Sequence, residues 1–220
     1  MRVAICSPTR DRPNPANLAA WERSVPSLDA AGWEHSAVWE IGCPYISGAR
    51  ATALGKCLKW GATHIVFIDD DMSWEPKDLI TLLETEGDVV AGNYRYKTND
   101  ETRFMGIPLL GPNKRPMVRS DGCVEMLAVP AGFLRVSRLA IAQYLVAYPE
   151  LRLGDEGNVD LFNHGAHEGI WYGEDFAFSR RWREMGKSIW CPPHLNLVHN
   201  GSKGETYGGT YHDYLSNYKP

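Results

Sequence analysis

The chain has 220 residues, of which 44% are hydrophobic and 23% are charged, with a formal net charge of −4 at pH 7. These values exclude a disordered tail, a collagen-like fibre and a small disulfide scaffold, and give no overall attraction to nucleic acid or anionic membrane. A chain of this length can bury one core unaided, so we expect a single domain. No apolar run approaches the roughly 20 residues of a membrane-spanning helix.

Five cysteines are scattered through the chain: Cys6, Cys43, Cys57, Cys123 and Cys191. Their number is odd and none are spaced as C-x-x-C, so the pattern indicates reduced thiols and no zinc site. The short apolar start also lacks the length of a signal peptide. We therefore expect a cytoplasmic protein.

The first half of the chain alternates between strand and helix patterns. Strands are predicted at 3–6, 34–41, 64–68 and 88–91, and helices at 13–29, 47–60 (capped by Ser47) and 76–84. Such alternation is typical of an α/β layer with a parallel sheet. Ligands of these sheets bind at the carboxyl ends of the strands.

The second half is less regular. A basic, loop-rich stretch covers 95–119, and a hairpin is predicted over 118–129. Strands are predicted at 131–136, 188–191 and 195–199, and helices at 137–148 and 174–185. The tail after Gly201 is rich in Gly and Tyr. We expect this tail to form a mobile flap.

Three carboxylates, Asp69, Asp70 and Asp71, directly follow the apolar run 64–68. One interpretation is a solvated acidic turn. However, the triplet leaves a buried strand at the ligand-binding edge, and three adjacent like charges repel unless a divalent cation removes that cost. A D-x-D pair at a strand end suits a metal held between protein and a diphosphate. Neutralising one carboxylate of the trio is also expected to relieve repulsion.

Three segments together resemble glycosyltransferases of the GT-A fold, especially the family 2-like ones. Residues 64–71 resemble the D-x-D segment, 173–186 resemble the segment of Gly-Glu-Asp, helix and Gly, and 189–201 resemble the closing strand with its metal-binding His. The three motifs occur in the family's order and cover most of the chain from the third strand onward.

The resemblance implies an α/β, Rossmann-like GT-A fold over 1–220. It has a mostly parallel central sheet and a smaller antiparallel sheet on the acceptor side. Residues 1–93 would form the nucleotide-binding half, 94–200 the acceptor half, and 201–220 a flexible C-terminal flap.

The resemblance also implies roles for the acidic cluster. Asp69 would face the nucleotide ribose or the donor sugar, and Asp71 would ligate Mn²⁺ or Mg²⁺, with His199 completing the metal site. One imidazole among oxygen ligands favours Mn²⁺. Asp70 would either support this site from behind or touch the donor.

Glu174 and Asp175 stand at the predicted start of a helix. Acidic residues there complement the helix dipole, which is one interpretation. The resemblance implies instead that Asp175 is the general base of an inverting transferase, taking a proton from an acceptor hydroxyl. Glu174 would orient the acceptor. A retaining mechanism would need no such base.

The nucleotide end of the site rests on weaker signals. Thr9 and Arg10 follow the first strand, where the fold binds a base such as uracil; a plain turn is the alternative. Arg50 matches a position that often contacts base or phosphate, although a solvated helix Arg is equally compatible. Trp171 and Tyr172 precede the acidic pair and either stack on the acceptor or pack in the core.

The sequence thus predicts a glycosyltransferase that uses a nucleotide sugar, UDP-linked by expectation, and an acceptor hydroxyl on a saccharide or another molecule. A non-catalytic sugar- or nucleotide-binding module is the main alternative. The basic stretch 95–119 would suit DNA with hydroxylated bases, but a solvated loop or a cover over the diphosphate is favoured. A zinc hydrolase site at 164–168 is not favoured, because the segment matches neither H-E-x-x-H nor H-x-x-E-H. The sequence leaves the oligomeric state open.

Overall fold

A computed structural model of the chain describes residues 1–154, 157–216 and 218. The first half contains β1 (Arg2–Thr9), α1 (Pro15–Ala30), β2 (Glu34–Ile41), α2 (Ile46–Trp60), β3 (His64–Ile68), β4 (Met72–Ser73), α3 (Pro76–Glu84) and β5 (Val89–Ala91). The second half contains β6 (Ile107–Pro108), β7 (Val124–Ala128), β8 (Phe133–Ser137), α4 (Arg138–Ala147), β9 (Arg152–Leu153), β10 (Asn158–Val159), β11 (Gly165–His167), β12 (Ile170–Tyr172), α5 (Glu174–Glu184), β13 (Trp190–Cys191), β14 (Val198–Asn200), β15 (Thr206–Tyr207) and α6 (Tyr211–Ser216).

Two local predictions need correction. Helix α2 begins at Ile46 after Tyr45, without a side-chain cap, so Ser47 lies inside the first turn and the predicted cap is wrong. The hairpin predicted over 118–129 is shorter than expected: Val118 and Val124 form an antiparallel bridge, and Arg119 N–H donates to the Cys123 carbonyl at 2.8 Å. Strand β7 continues beyond it and pairs with β6 and β13.

The central sheet has the order β2-β1-β3-β8-β5-β13-β7-β6. Strands β1, β2 and β3 are mutually parallel, and β13 is parallel to β5. Strands β8 and β7 run against the other strands, so the sheet is mixed but mostly of one direction. Strand β8 is inserted between β3 and β5 and is antiparallel to both. The alternation of apolar and polar residues in the sequence does not determine this direction.

Both faces of this sheet are buried, which explains why its strands are continuous apolar runs. Along β3, Ile65 and Phe67 face one core, together with residues of α2, α4 and α5. Val66 and Ile68 alternate with them and face a second core against α1 and α3. The result is a three-layer α/β/α arrangement with the carboxyl end of β3 at an edge.

A small sheet of β15, β14 and β4 lies next to that edge. Strand β4 follows the acidic triplet, and it pairs antiparallel with β14 so that His199 stands opposite Met72. The backbone N–H of Asn200 donates to the Asp71 carbonyl at 2.8 Å. This pairing brings the C-terminal histidine to the acidic cluster, although 128 residues separate it from Asp71 in sequence (199 − 71).

None of the helices in the described residues combines the length and apolar character that crossing a membrane requires. All five cysteines are free thiols.

Candidate active site

A cleft of about 580 Å³ opens at the carboxyl ends of β1 and β3. Its volume lies within the usual range for small-molecule sites. The residues that line it include Thr9, Arg10 and the three carboxylates Asp69, Asp70 and Asp71, together with the segment that leads into α2. The cleft therefore brings together the residues for which sequence motifs predict nucleotide and metal binding, apart from Arg50 and His199.

Asp70 holds the loop after β1 against the end of β3. One carboxylate oxygen accepts from the backbone N–H of Asn14 at 2.7 Å, and the other lies 3.0 Å from the Thr9 hydroxyl. Burial raises the pKa of Asp70, while these hydrogen bonds act in the opposite direction. Through these contacts, Asp70 and Thr9 shape the cleft. Direct donor contact by either side chain stays a prediction.

Arg50 is a buried cation, 1% exposed, between two acidic motifs. It donates to Asp69 Oδ1 at 2.6 Å and to Glu174 Oε1 at 3.1 Å. Its guanidinium also lies over the ring of Phe162, 5.0 Å from the centroid. Burial disfavours the charge, but the two carboxylates outweigh burial and raise the pKa of Arg50. A contact with base or phosphate stays a prediction for Arg50, whose terminal nitrogens already donate within the protein.

Replacing Arg50 should therefore test a structural link between the two motifs. We expect Arg50→Met to lower the free energy of unfolding by about 3 kcal/mol, because it leaves two half-buried carboxylates without their cation. Arg50→Lys should lose less, since it keeps the charge but not the fork geometry. Urea unfolding at pH 7 measures both. The matched control is Arg115→Met at an exposed loop position, and a similar loss in control and Arg50→Met would contradict the link.

Asp175 stands in the first turn of α5 and is held from both sides. Its Oδ1 accepts from the backbone N–H of Phe176 at 2.8 Å. Its carbonyl accepts from the Ser179 hydroxyl at 2.9 Å, and Ser179 in turn accepts from Val129 N–H at 3.1 Å. Burial, followed by the charge of Glu174, raises the pKa of Asp175 to about 6. A carboxylate with a pKa near neutrality is suited to general-base chemistry.

The raised pKa of Asp175 has a consequence for stability. The ionised form is less favourable in the folded protein than in the unfolded chain, so stability is fully present below about pH 4 and is lost as pH rises through about 6. We expect Asp175→Asn to raise the free energy of unfolding by about 1–3 kcal/mol at pH 8. Near pH 4 the difference should shrink towards zero. Urea unfolding at both pH values measures it, and a difference independent of pH would contradict the burial effect.

Asp71 and His199 face each other across the mouth of the cleft. The His199 Nδ1 lies 3.0 Å from the Arg95 carbonyl oxygen, which can only accept, so Nδ1 carries the hydrogen. The other ring nitrogen, Nε2, lies 3.4 Å from Asp71 Oδ2. Two ligand atoms at right angles on a cation, with bonds of about 2.1 Å, stand about 3.0 Å apart. The pair thus fits two adjacent positions of one metal ion.

The remaining positions of such an ion would need other donors. Within the ranges that the structure describes, no three His, Cys, Asp or Glu side chains form a group that could hold a metal. Water and diphosphate oxygens would therefore complete the shell. The Nδ1–H contact with a backbone carbonyl is the usual way in which a ligating histidine is oriented.

The sequence interpretation missed Lys97. Its Nζ lies 2.5 Å from Asp71 Oδ2, and only the excess of basic residues in 95–119 pointed to that segment. Gly132, in contrast, lies in the small-residue segment 131–133, where a glycine predicts close approach of the backbone. A Cβ at this position would lie 2.1 Å from the Tyr94 hydroxyl and 2.7 Å from Asp69 Oδ2. Glycine at this position lets β8 pass directly beneath the acidic cluster.

Two arginines of the basic stretch have partners within the chain. Arg95 donates to the Gly208 carbonyl at 3.0 Å, and Arg119 pairs with Asp121 at 2.6 Å. These contacts favour a local role for the stretch over a continuous cationic face. In contrast, Trp171 on the β11–β12 hairpin is 71% exposed, close in sequence to Asp175.

The chain was compared with known proteins by sequence and by structure, and only the structural comparison found similar proteins. No protein-family profile matches the chain, and no curated protein matches it by sequence. Among solved structures, A197 from STIV is similar, with a TM-score of 0.55 and 14% identity over 94% of this chain and 94% of that chain. GalNAc-T7, solved with UDP, GalNAc and Mn²⁺, is similar with a TM-score of 0.53 and 12% identity over 90% of this chain and 43% of that chain.

At sequence identities of 14% and 12%, this structural similarity establishes the fold alone. The chain has the GT-A fold, an α/β architecture with a mostly parallel central sheet and small antiparallel sheets. The fold predicted from the three sequence motifs is confirmed. This chain spans less than half the length of GalNAc-T7.

Proposed function

We propose that the protein is a metal-dependent glycosyltransferase that moves a sugar from a UDP-type nucleotide sugar to an acceptor hydroxyl with inversion. One observation carries the proposal: the base candidate Asp175, with a pKa of about 6, adjoins Glu174, which Arg50 ties to Asp69 at the donor cleft. A GT-A structure solved with UDP, GalNAc and Mn²⁺ supports the donor class.

In the proposed step, Asp175 accepts the proton of the acceptor hydroxyl as that oxygen attacks the anomeric carbon. The bond from the anomeric carbon to the diphosphate oxygen breaks, and its electron pair leaves with the nucleoside diphosphate. The transition state is oxocarbenium-like, as in glycoside hydrolysis. The Ser179 contact holds the first turn of α5 in place, and this rigidity serves the in-line geometry.

The remaining roles follow from the position of each side chain. Asp71 and His199 would hold Mn²⁺ or Mg²⁺, which when bound neutralises charge on the departing diphosphate. Asp69, Thr9 and Arg10 line the donor cleft and would face the nucleotide sugar.

On the acceptor side, Glu174 would orient the acceptor with the carboxylate oxygen that Arg50 does not bind. Trp171 is exposed and would stack on a saccharide acceptor, for which an aromatic face is well suited. A non-catalytic binding module would need neither Asp175 as a base nor a metal.

The first test is thermal unfolding of the protein with UDP, GDP, CDP, ADP or dTDP, each with and without Mn²⁺. We expect UDP with Mn²⁺ to raise the Tm most. Mass action adds about 2.7 kcal/mol of stability at a hundredfold excess over Kd. Absence of a Mn²⁺-dependent shift with all five nucleotides would overturn the proposed function.

A second test separates the base from the metal ligand. Asp175→Asn keeps size and shape but accepts no proton, so UDP and Mn²⁺ affinity should persist while release of UDP from UDP-sugars falls roughly 10²–10⁴-fold. His199→Ala should weaken Mn²⁺ and donor binding together, and excess Mn²⁺ should restore part of its activity. Calorimetric binding and UDP release measure the two effects. An identical response of both variants to Mn²⁺ would show that one role is misassigned.

A further inference from the structure

Lys97 lies beside the two residues that would hold the metal. Its Nζ is 2.5 Å from Asp71 Oδ2, and the same oxygen is 3.4 Å from His199 Nε2. In the neutral imidazole of His199, with its hydrogen on Nδ1, Nε2 and Asp71 Oδ2 are two acceptors that face each other, and acceptors in this arrangement attract a cation. The ammonium of Lys97 supplies the positive charge at this place.

The backbone holds Lys97 in reach of the cleft. The segment 94–105 folds back on itself, with Tyr96 N–H donating to the Arg103 carbonyl at 3.0 Å and Met105 N–H donating to the Tyr94 carbonyl at 2.9 Å. The Lys97 side chain itself is 36% exposed. A fixed backbone with a flexible four-carbon stem lets the ammonium change partners without refolding of the segment.

Each neighbouring carboxylate already has its own partner. Asp69 binds Arg50, and Asp70 binds the Asn14 N–H. Lys97 is therefore the cation that specifically neutralises Asp71, the carboxylate that the divalent metal would use. Both cations cannot occupy the same carboxylate oxygen at full strength, because the ammonium and the metal repel each other.

We propose that Lys97 is a resident cation that competes with the divalent metal for Asp71 and turns to the diphosphate when metal and nucleotide bind together. This inference rests on the proposed function. In the nucleotide-free protein, Lys97 weakens Mn²⁺ binding. In the ternary complex, its ammonium lies beside the leaving group, where a positive charge stabilises the departing diphosphate. Metal binding and nucleotide binding are thereby coupled.

The test compares Lys97→Met, Lys97→Arg and wild type by titrating Mn²⁺ alone and following free Mn²⁺ by electron paramagnetic resonance. We expect Lys97→Met to bind Mn²⁺ about tenfold more tightly than wild type in the absence of nucleotide. Lys97→Arg keeps the charge and should bind Mn²⁺ as weakly as wild type. At saturating Mn²⁺, calorimetry should show about tenfold weaker UDP binding to Lys97→Met.

A matched control is Lys59→Met. It removes the same charge at the last turn of α2, and the first turn of that helix lines the cleft. A helix of 15 residues spans about 22 Å, so we expect unchanged Mn²⁺ and UDP affinity. Circular dichroism of each variant establishes that it is folded.

The outcomes separate the inference from the function on which it rests. Equal Mn²⁺ affinity of Lys97→Met and wild type, with UDP still bound by both, would overturn the competition and leave the transferase intact. An equal gain in Mn²⁺ affinity in Lys59→Met would reduce the effect to net charge and would also overturn it. Failure of both proteins to bind Mn²⁺ with or without UDP would overturn the proposed function together with the role of Lys97.

Discussion

The buried guanidinium of Arg50 is the interaction on which the geometry of the site depends. It joins the carboxyl end of β3 to the start of α5 by pairing with Asp69 and with Glu174, which lies 124 residues away in sequence. One cation shared by two carboxylates leaves the group net negative. Burial, followed by the negative charge of neighbouring Glu174, raises the pKa of Asp175 to about 6. The same ion pair that fixes the two motifs thus also helps to tune the base candidate.

The acidic triplet illustrates how adjacent like charges are accommodated. The sequence suggests that three neighbouring carboxylates need one divalent cation between them. In the structure they have separate partners: a buried arginine for Asp69, hydrogen bonds for Asp70, and Lys97 for Asp71. The relief of repulsion expected from neutralising Asp71 stays a prediction, and Lys97 opposes it, because its ammonium favours the ionised carboxylate and acts against burial to lower the pKa of Asp71. The proposed metal would therefore be held by Asp71 and His199 alone among these residues, as the proposed function requires.

Sequence patterns predicted the structure correctly where the local pattern of residues and the packing of the fold require the same arrangement. The run at β3 is apolar because both faces of the sheet are covered, and the acidic residues must follow it at the ligand edge, so both were predictable. The inward direction of Arg50 was not predictable, because an arginine near the start of a helix gives the same sequence pattern whether its side chain is solvated or buried. The contact of Lys97 depends on pairing between β4 and β14 and on the fold of 94–105, which no local period encodes.

The loop that carries Lys97, the ligand candidate His199 and the C-terminal tail are joined through one residue. The Arg95 carbonyl accepts from His199, and its side chain donates to the Gly208 carbonyl in the tail. Tyr211 of α6 is buried and packs against Phe104, with ring centroids 5.2 Å apart. The mobility predicted for the tail stays a prediction, but the structure shows which contacts such movement would break. Opening at Gly208 would remove one of the contacts of the Arg95 side chain, which also donates to the Thr98 carbonyl at 3.3 Å. Movement of the tail would therefore loosen, but not abolish, the restraint on the residue whose carbonyl orients His199.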